Sequence, residues 1–478
     1  MSETLINGDT AYMLICMALV NLMTPGLAFF YGGLVRSSNV LSIMAQNYAS
    51  MGLMTIIWTA WGYVFLRSFL LLSCEDDDAS LLSPRDYGVA TNDAKTTVAD
   101  IFLLLLLLLL LLLLLYRLRK NRYSLCFGES QGDFIGNPKS HYFLENTNNN
   151  SPEGTSIPGL VFCGFQGMFA VIAPALMTGA FADRVNFGPY MVFIALWAHL
   201  VYFPVCHWIW GGGWMAKQGV WDFAGGIVIH VTAGFSALAT VVALPSRHHL
   251  DASVENKPHN IPFVALGTGL LWFGWFGFNG GSALGANNQA AYASINSEIS
   301  ASAALFGWMM LEWILEGKPT LIGACVGAIA GLATITPAAG FVDPWSALLI
   351  GFLCVPFCYA CIEITKRYKL DDALDVWAVH GMGGFLGTVC VGIFATEKVS
   401  GPGNVDASGK QFLIQLLAAS GIAVYSFVIG YLLIKVIDKF SKVAVDADTY
   451  AKGLDVSIHG HEAYFDSSND GSKKVVGV

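Results

Sequence analysis

Two aspartate–histidine pairs carry the spacing from which chemistry can be read. Asp222 precedes His230 by eight residues, and Asp372 precedes His380 by eight. Each pair opens a long apolar stretch, residues 222–244 (beginning Asp222-Phe-Ala-Gly-Gly) and 375–396. A helix begun at the aspartate rises ~1.5 Å per residue and puts the imidazole roughly 12 Å in. Half the apolar thickness of a bilayer is about 15 Å. Both rings are therefore expected near a membrane midplane, where an ionisable side chain is costly and by default functional. Two imidazoles in contact can share one proton, one nitrogen donating and the other accepting. They can then relay a proton or offer hydrogen bonds to a small solute. A single buried histidine is more often a satisfied core residue, but two at mirrored depths are poorly explained that way. Asp222 reads both as a helix N-cap accepting backbone N–H bonds and as local negative charge.

The elements that position these pairs follow from composition. The chain has 478 residues, 55% hydrophobic and 12% charged, with a mean hydropathy of +0.57. That excludes a soluble enzyme and predicts an all-α polytopic membrane protein. A net charge of −9 argues against a nucleic-acid partner. The ten cysteines are scattered. Cys354, Cys358 and Cys361 share a helix face, but no histidine or acid completes a metal set, so they read as packing residues and no metal is expected. Apolar stretches fall at 11–32, 41–66, 157–182, 189–211, 222–244, 260–281, 300–316, 319–338, 344–364, 375–396 and 411–437, which makes eleven spans. The first is an uncleaved span rather than a signal peptide.

Arg36, Arg184, Arg247, Lys257, Lys318, Lys366, Arg367 and Lys369 occupy alternate loops, while the others hold only Lys139, Lys217, Lys398 and Lys410. This asymmetry predicts the N-terminus outside and the C-terminus in the cytoplasm. The helix after Asp222 then enters from outside, and that after Asp372 from the cytoplasm. Such a pair implies an inverted-topology repeat, helices 1–5 against 6–10, with an eleventh outside it. The histidines of the loop at 245–249 read as solvated.

Residues 64–123 do not fit this plan. They hold an acidic cluster after Cys74, thirteen leucines at 103–115 and a basic segment at 117–122. A span there would put every later loop on the wrong side. The segment is expected to be an artefactual or lineage-specific insertion, such as a retained intron or expanded repeat; the alternative is an added hairpin or interfacial helix. The transmembrane domain is then 1–450 and the cytoplasmic tail 451–478. Asn149-Asn-Ser151 is a glycosylation sequon weakened by Pro152.

Several further motifs complete a set: residues 28–36, 132–138, 165–170, 207–213, 274–282 and Val379-His-Gly381, together with 222–230. In this order they resemble the ammonium transporter family, which includes the methylammonium permeases and Rh glycoproteins, and its ammonium transporter branch in particular. The resemblance implies a homotrimer with one pore per subunit. It implies that Trp210, Phe169 and Ser282, with Asp222 below them, recruit ammonium or methylammonium. Phe169 and Phe278 would be stacked phenyl rings closing the pore, with Phe165 and Trp275 nearby, and His230 and His380 the twin pore histidines. The segment holding Gly453, Asp455, Ser457, His459 and Gly460 resembles the family's regulatory tail, a candidate for a cytosolic regulator or for a kinase acting on Ser457 or Thr449.

The chemistry suits that cargo. Aromatic faces attract a partly desolvated cation by about 0.5–2 kcal/mol each. Ammonium donates hydrogen bonds that potassium cannot, and Ser282 can accept one. An apolar bore penalises a bare cation, and deprotonation to ammonia removes that cost. The expected function is ammonium transport at the plasma membrane for nitrogen uptake, without a cofactor and not as an enzyme. The alternative is an ammonium sensor signalling through its tail.

Overall fold

The computed structural model describes residues 5–59, 123–127, 130–131, 133–136 and 154–464. Residues 64–122 of the expected insertion, Lys139, the sequon at 149–151 and tail residues beyond 464 lie outside these. Among the described residues the protein is all-helical apart from a two-residue hairpin, Ser130–Gln131 against Ile135–Gly136. Among the described residues ten helices are long and apolar enough to cross a membrane, and an eleventh, Leu321–Ile335, is apolar but shorter.

In chain order these are α1 (Asn7–Leu34), α2 (Val40–Thr59), α3 (Gly159–Met177) and α4, which runs from Phe187 through a π-helical turn at Ala198–Tyr202 to Ile209. α5 joins a π-helical turn, Gly226–Val231, to Thr232–Ala243. Then come α6 (Ile261–Gly281), α7 (Asn288–Glu316), α8 (Leu321–Ile335) and α9 (Pro344–Arg367). α10 again starts with a π-helical turn, Trp377–Met382, before Gly383–Phe394, and α11 is Gly409–Phe440.

Two boundaries differ from expectation. α7 starts at Asn288, not 300. The intervening residues look too polar to span, yet Asn296, Ser297 and Ser300 are buried and bonded across the bundle: Asn296 donates to the carbonyls of Ala339 and Val342 at 2.8 and 2.7 Å. α5 starts at Gly226, so His230 sits four residues into the helix rather than eight.

The inverted repeat is visible in matched hydrogen bonds. Phe223, after Asp222, donates its N–H to Pro337 O in the loop following α8; Ala373, after Asp372, donates to Ala180 O in the loop following α3; both bonds are 3.1 Å. Glycines let the halves close on each other. A Cβ on Gly234 of α5 would lie 2.2 Å from the Gly381 Cα of α10. α1 and α6 approach likewise, since a Cβ on Gly267 would lie 2.2 Å from the Phe30 backbone. Close approach at small residues is how helices associate where lipid removes the hydrophobic driving force.

Candidate functional site

The π-helical turns of α5 and α10 face each other at the centre of the bundle. His230 and His380 lie with ring centroids 5.3 Å apart and planes 14° from parallel. Both are buried, at 1% and 3% exposure. The rings are stacked and make no hydrogen bond to each other through the nitrogens of His230. Both nitrogens of His230 and Nδ1 of His380 are buried without a hydrogen-bond partner. Such groups cost free energy unless something occupies the space beside them. That space is an apolar cavity lined by both histidines, Met23, Leu27, Ile172, Leu176, Leu271, Trp275, Phe278 and Ile329.

Aromatic rings roof the cavity. Trp275 and Phe278 stack on His230 at 5.7 and 6.1 Å, and the Trp275 indole donates to Thr336 Oγ1 at 3.0 Å. Phe169 meets Phe278 at 4.6 Å with planes at 82°, so the pair is edge-to-face, not stacked. This places the positive edge of one ring against the negative face of the other. Phe165 packs on Phe169 at 4.8 Å, and Trp210 lies 5.9 Å from Phe169. Phe165, Phe169, Phe278 and Trp275 are all fully buried, in the core rather than against lipid. Trp210 is half-buried and its indole donates to the Asp222 carbonyl at 2.7 Å. Ser282, one turn after Phe278, donates to the Phe278 carbonyl at 2.8 Å. That leaves its oxygen free to accept.

Asp222 is a cap. Its carboxylate accepts from the backbone N–H of Gly225, Gly226, Ile227 and Val228 at 2.7–3.0 Å. Gly225 makes this possible with φ 118°, a conformation that disfavours a side chain. Asp372 caps α10 through Val376 and Trp377 at 3.1 and 2.8 Å.

Against this geometry stand the relatives. The sequence model of the Ammonium Transporter Family matches residues 11–70 and 90–464. The chain belongs to that family. It is 36% identical over 464 residues to an ammonium transporter of Bacillus subtilis, covering 96% of this chain and 99% of the relative. It is 34% identical to ammonium transporter 1 of Schizosaccharomyces pombe, covering 96% and 82%. Among solved structures it is similar to Candida albicans Mep2 (29% identity, TM-score 0.75, covering 93% of this chain and 88% of the other). It is also similar to one titled a sensor Amt protein (25%, TM-score 0.75, covering 94% and 98%).

In this family member the start of α10 holds groups that sequence reasoning missed. Arg184, read as a loop charge, is fully buried. It pairs with Asp371 at 3.3 Å and donates to the carbonyls of Asp371, at 2.6 Å, and Ala180. Arg247, also read as a loop charge, grips Asp371 through Nε and Nη2 at 3.0 and 2.7 Å, and lies 3.8 Å from Asp183. Asn39 donates to Asp183 at 2.6 Å. Burial alone would raise the Asp371 carboxyl, but Arg184 and Arg247 hold it below its ordinary value. Burial pushes the neighbouring Asp372 up to about 6. Only one clue existed in sequence: an Asp371-Asp372 doublet beside the histidine helix.

The tail reaches the same cluster. Leu454 N–H donates to Asn39 Oδ1 at 2.8 Å, and the buried Asp455 carboxylate caps α2 through Leu41 and Ser42 at 2.9 and 2.8 Å. Gly453, at φ 98°, leaves no room for a Cβ beside Ser38. His459 packs on Phe187 at 5.4 Å, while Ser457 and Gly460 are exposed.

Proposed function

We propose that the chain is an ammonium transporter whose pore runs through each subunit past the two histidines. The observation that carries this reading is the set of unpartnered imidazole nitrogens in an apolar cavity beneath aromatic rings. Ammonium is drawn to the faces of Trp210 and Phe169, with Ser282 accepting one hydrogen bond. The buried Asp222 carboxylate supplies negative charge below. The ion gives up a proton in passing the Phe169–Phe278 pair, since a bare cation in the bore is expensive. Ammonia then has hydrogen-bond partners on His230 and His380, and the proton moves separately or stays outside. Potassium has no proton to lose and is rejected at that step.

The same reading makes the protein a homotrimer in the plasma membrane, N-terminus outside, and a transporter rather than an enzyme. Residues 64–123 are an insertion in a domain spanning 1–450, and 451–478 form a regulatory tail. A sensor role is the second reading. It is supported by the tail's burial of Asp455 against α2 and by the similarity to a sensor Amt protein. A chain ended after Ser441 that keeps its flux but loses a downstream response would favour the sensor.

The test is methylammonium uptake, and growth on limiting ammonium, in cells lacking their own transporters. Two chains are compared, the full one and one lacking 64–123. Transport by both, or by the shorter alone, supports the pore. Failure of both with protein at the surface contradicts it.

A further inference from the structure

The backbone just before the α5 cap is held by a helix that stands outside the repeat. Gln415 lies near the start of α11 and is fully buried. Its Oε1 accepts from the backbone N–H of Trp221 at 3.0 Å, and its Nε2 donates to the Trp221 carbonyl at 2.6 Å. Nε2 also donates to the Thr388 carbonyl of α10 at 3.3 Å, and Gln411 Nε2 donates to Gln415 Oε1 at 3.2 Å. The amide's two donors and two acceptor positions are all used. Gln411 also donates to the Gly219 carbonyl at 2.9 Å.

These bonds leave the stretch Trp221–Phe223 little freedom. The Phe223 N–H is bound to Pro337 O, and the Phe341 ring packs edge-on against both Trp221 and Phe223, at 5.6 and 5.2 Å. Asp222 is the middle residue, and its carbonyl accepts the Trp210 indole at 2.7 Å. The carbonyl that Gln415 grips and the carbonyl that Trp210 uses are consecutive. Peptide planes are rigid, so a shift in the first turns the second. The matched position at the other histidine helix is Asp371, whose carbonyl is held by the Arg184 guanidinium at 2.6 Å. A guanidinium beside Trp210 would repel an arriving ammonium ion. The neutral amide holds the equivalent carbonyl without adding charge.

We infer that Gln415 is a positioning residue for ammonium recruitment: by clamping both backbone groups of Trp221 it fixes the Asp222 carbonyl, and through it the Trp210 indole beside Phe169. The inference rests on the reading of Trp210 as a recruiting side chain. It extends that reading to α11, a helix with no side chain in the cavity below. A glutamine serving packing alone would affect the amount of folded protein. This one acts on capture of the ion and leaves the steps past the histidines as they are.

The test is methylammonium uptake by the full chain over a range of concentrations, in cells lacking their own transporters and normalised to protein at the surface. Gln415→Met keeps the side chain's length and removes the clamp. It should raise the half-saturating concentration at least about fivefold while the maximal rate stays within about twofold. Trp210→Leu should raise it by as much or more. Adding Gln415→Met to Trp210→Leu should raise it less than about twofold further, because residues acting through one another are not additive. Unchanged half-saturation in Gln415→Met, a fall in maximal rate alone, or the full shift repeated in the double variant overturns the inference while recruitment at Trp210 stands. If Trp210→Leu itself changes nothing, the recruitment reading falls and the inference with it. Where the methionine variant does not reach the surface, Gln415→Asn, whose amide is one methylene short of Trp221, takes its place with the same thresholds. Failure of both to reach the surface makes Gln415 a folding residue and also overturns the inference.

Discussion

Asp222 and Asp372 open the two histidine helices in the same register, yet they are held by different chemistry. Asp222 takes four backbone N–H groups and has no cationic side chain among its partners. Asp372 takes two, and beside it Asp371 binds Arg184 and Arg247. Three residues on, both chains turn through positive φ, at Gly225 (118°) and Asp375 (57°). The Asp222 end thus keeps a carboxylate balanced by peptide dipoles, beside aromatic rings, which is the setting the proposed cation recruitment uses. The Asp372 end neutralises its acids with the buried Arg184 and the half-buried Arg247 and ties them, through Asp183 and Asn39, to the tail. One fold unit used twice in opposite senses can be fitted to two tasks, because capping is shared and only the counter-charges differ.

The sharpest break in this comparison is Asp371→Ala. It should leave Arg184 buried without its carboxylate partner and cost about 3–5 kcal/mol, read as a fall in the thermal unfolding midpoint of the detergent-purified protein. No matched loss exists at the Asp222 end. Asp371 is held below its ordinary value, so its contribution is present above the unfolded carboxylate range, near pH 4, and fades only as pH falls through its lower folded value. Between pH 7 and 5 the deficit of the alanine variant should therefore stay constant.

The caps come next. Asp222→Ala orphans four N–H groups and should destabilise by about 3 kcal/mol, and Asp372→Ala by about half that. Equal losses, measured by unfolding, would mean that the two caps are not distinguished by their hydrogen bonds. The smallest effect separates the two turns. Gly225→Ala should cost about 1–2 kcal/mol, because its Cβ would also meet the Ile229 side chain at 2.4 Å. Asp375→Gly should be neutral or stabilise by up to about 1 kcal/mol. A reversed order would remove the claim that the inner turn tolerates a side chain at some strain.

Sequence reading reached the spans, the repeat and the residues around the cavity, because apolar length and repeated spacing report on lipid and on helix depth. It failed where polarity is satisfied inside the bundle. The first turns of α7 looked like a loop because Asn296 and Ser297 are polar; the Ala339 and Val342 carbonyls satisfy Asn296, and Ser297 accepts from Asn279 and donates to the Ala293 carbonyl. Arg184 and Arg247 looked like solvated loop charges, because their partners Asp183 and Asp371 are set by tertiary contacts. The ring geometry was likewise out of reach. Spacing puts His230 and His380 at one depth and the family resemblance pairs Phe169 with Phe278, but stacking against edge-on contact depends on rotamers that packing selects.

The most direct measurement of the central claim is ammonium and potassium flux into vesicles holding the purified full chain, compared with His230→Ala and His380→Ala. The account predicts ammonium-dependent flux with no potassium flux for the unaltered protein. In each alanine variant, ammonium flux should fall at least tenfold or potassium should be admitted. Folded variants that carry ammonium at the unaltered rate and still exclude potassium would contradict it, and selection would then have to lie wholly in the aromatic rings above.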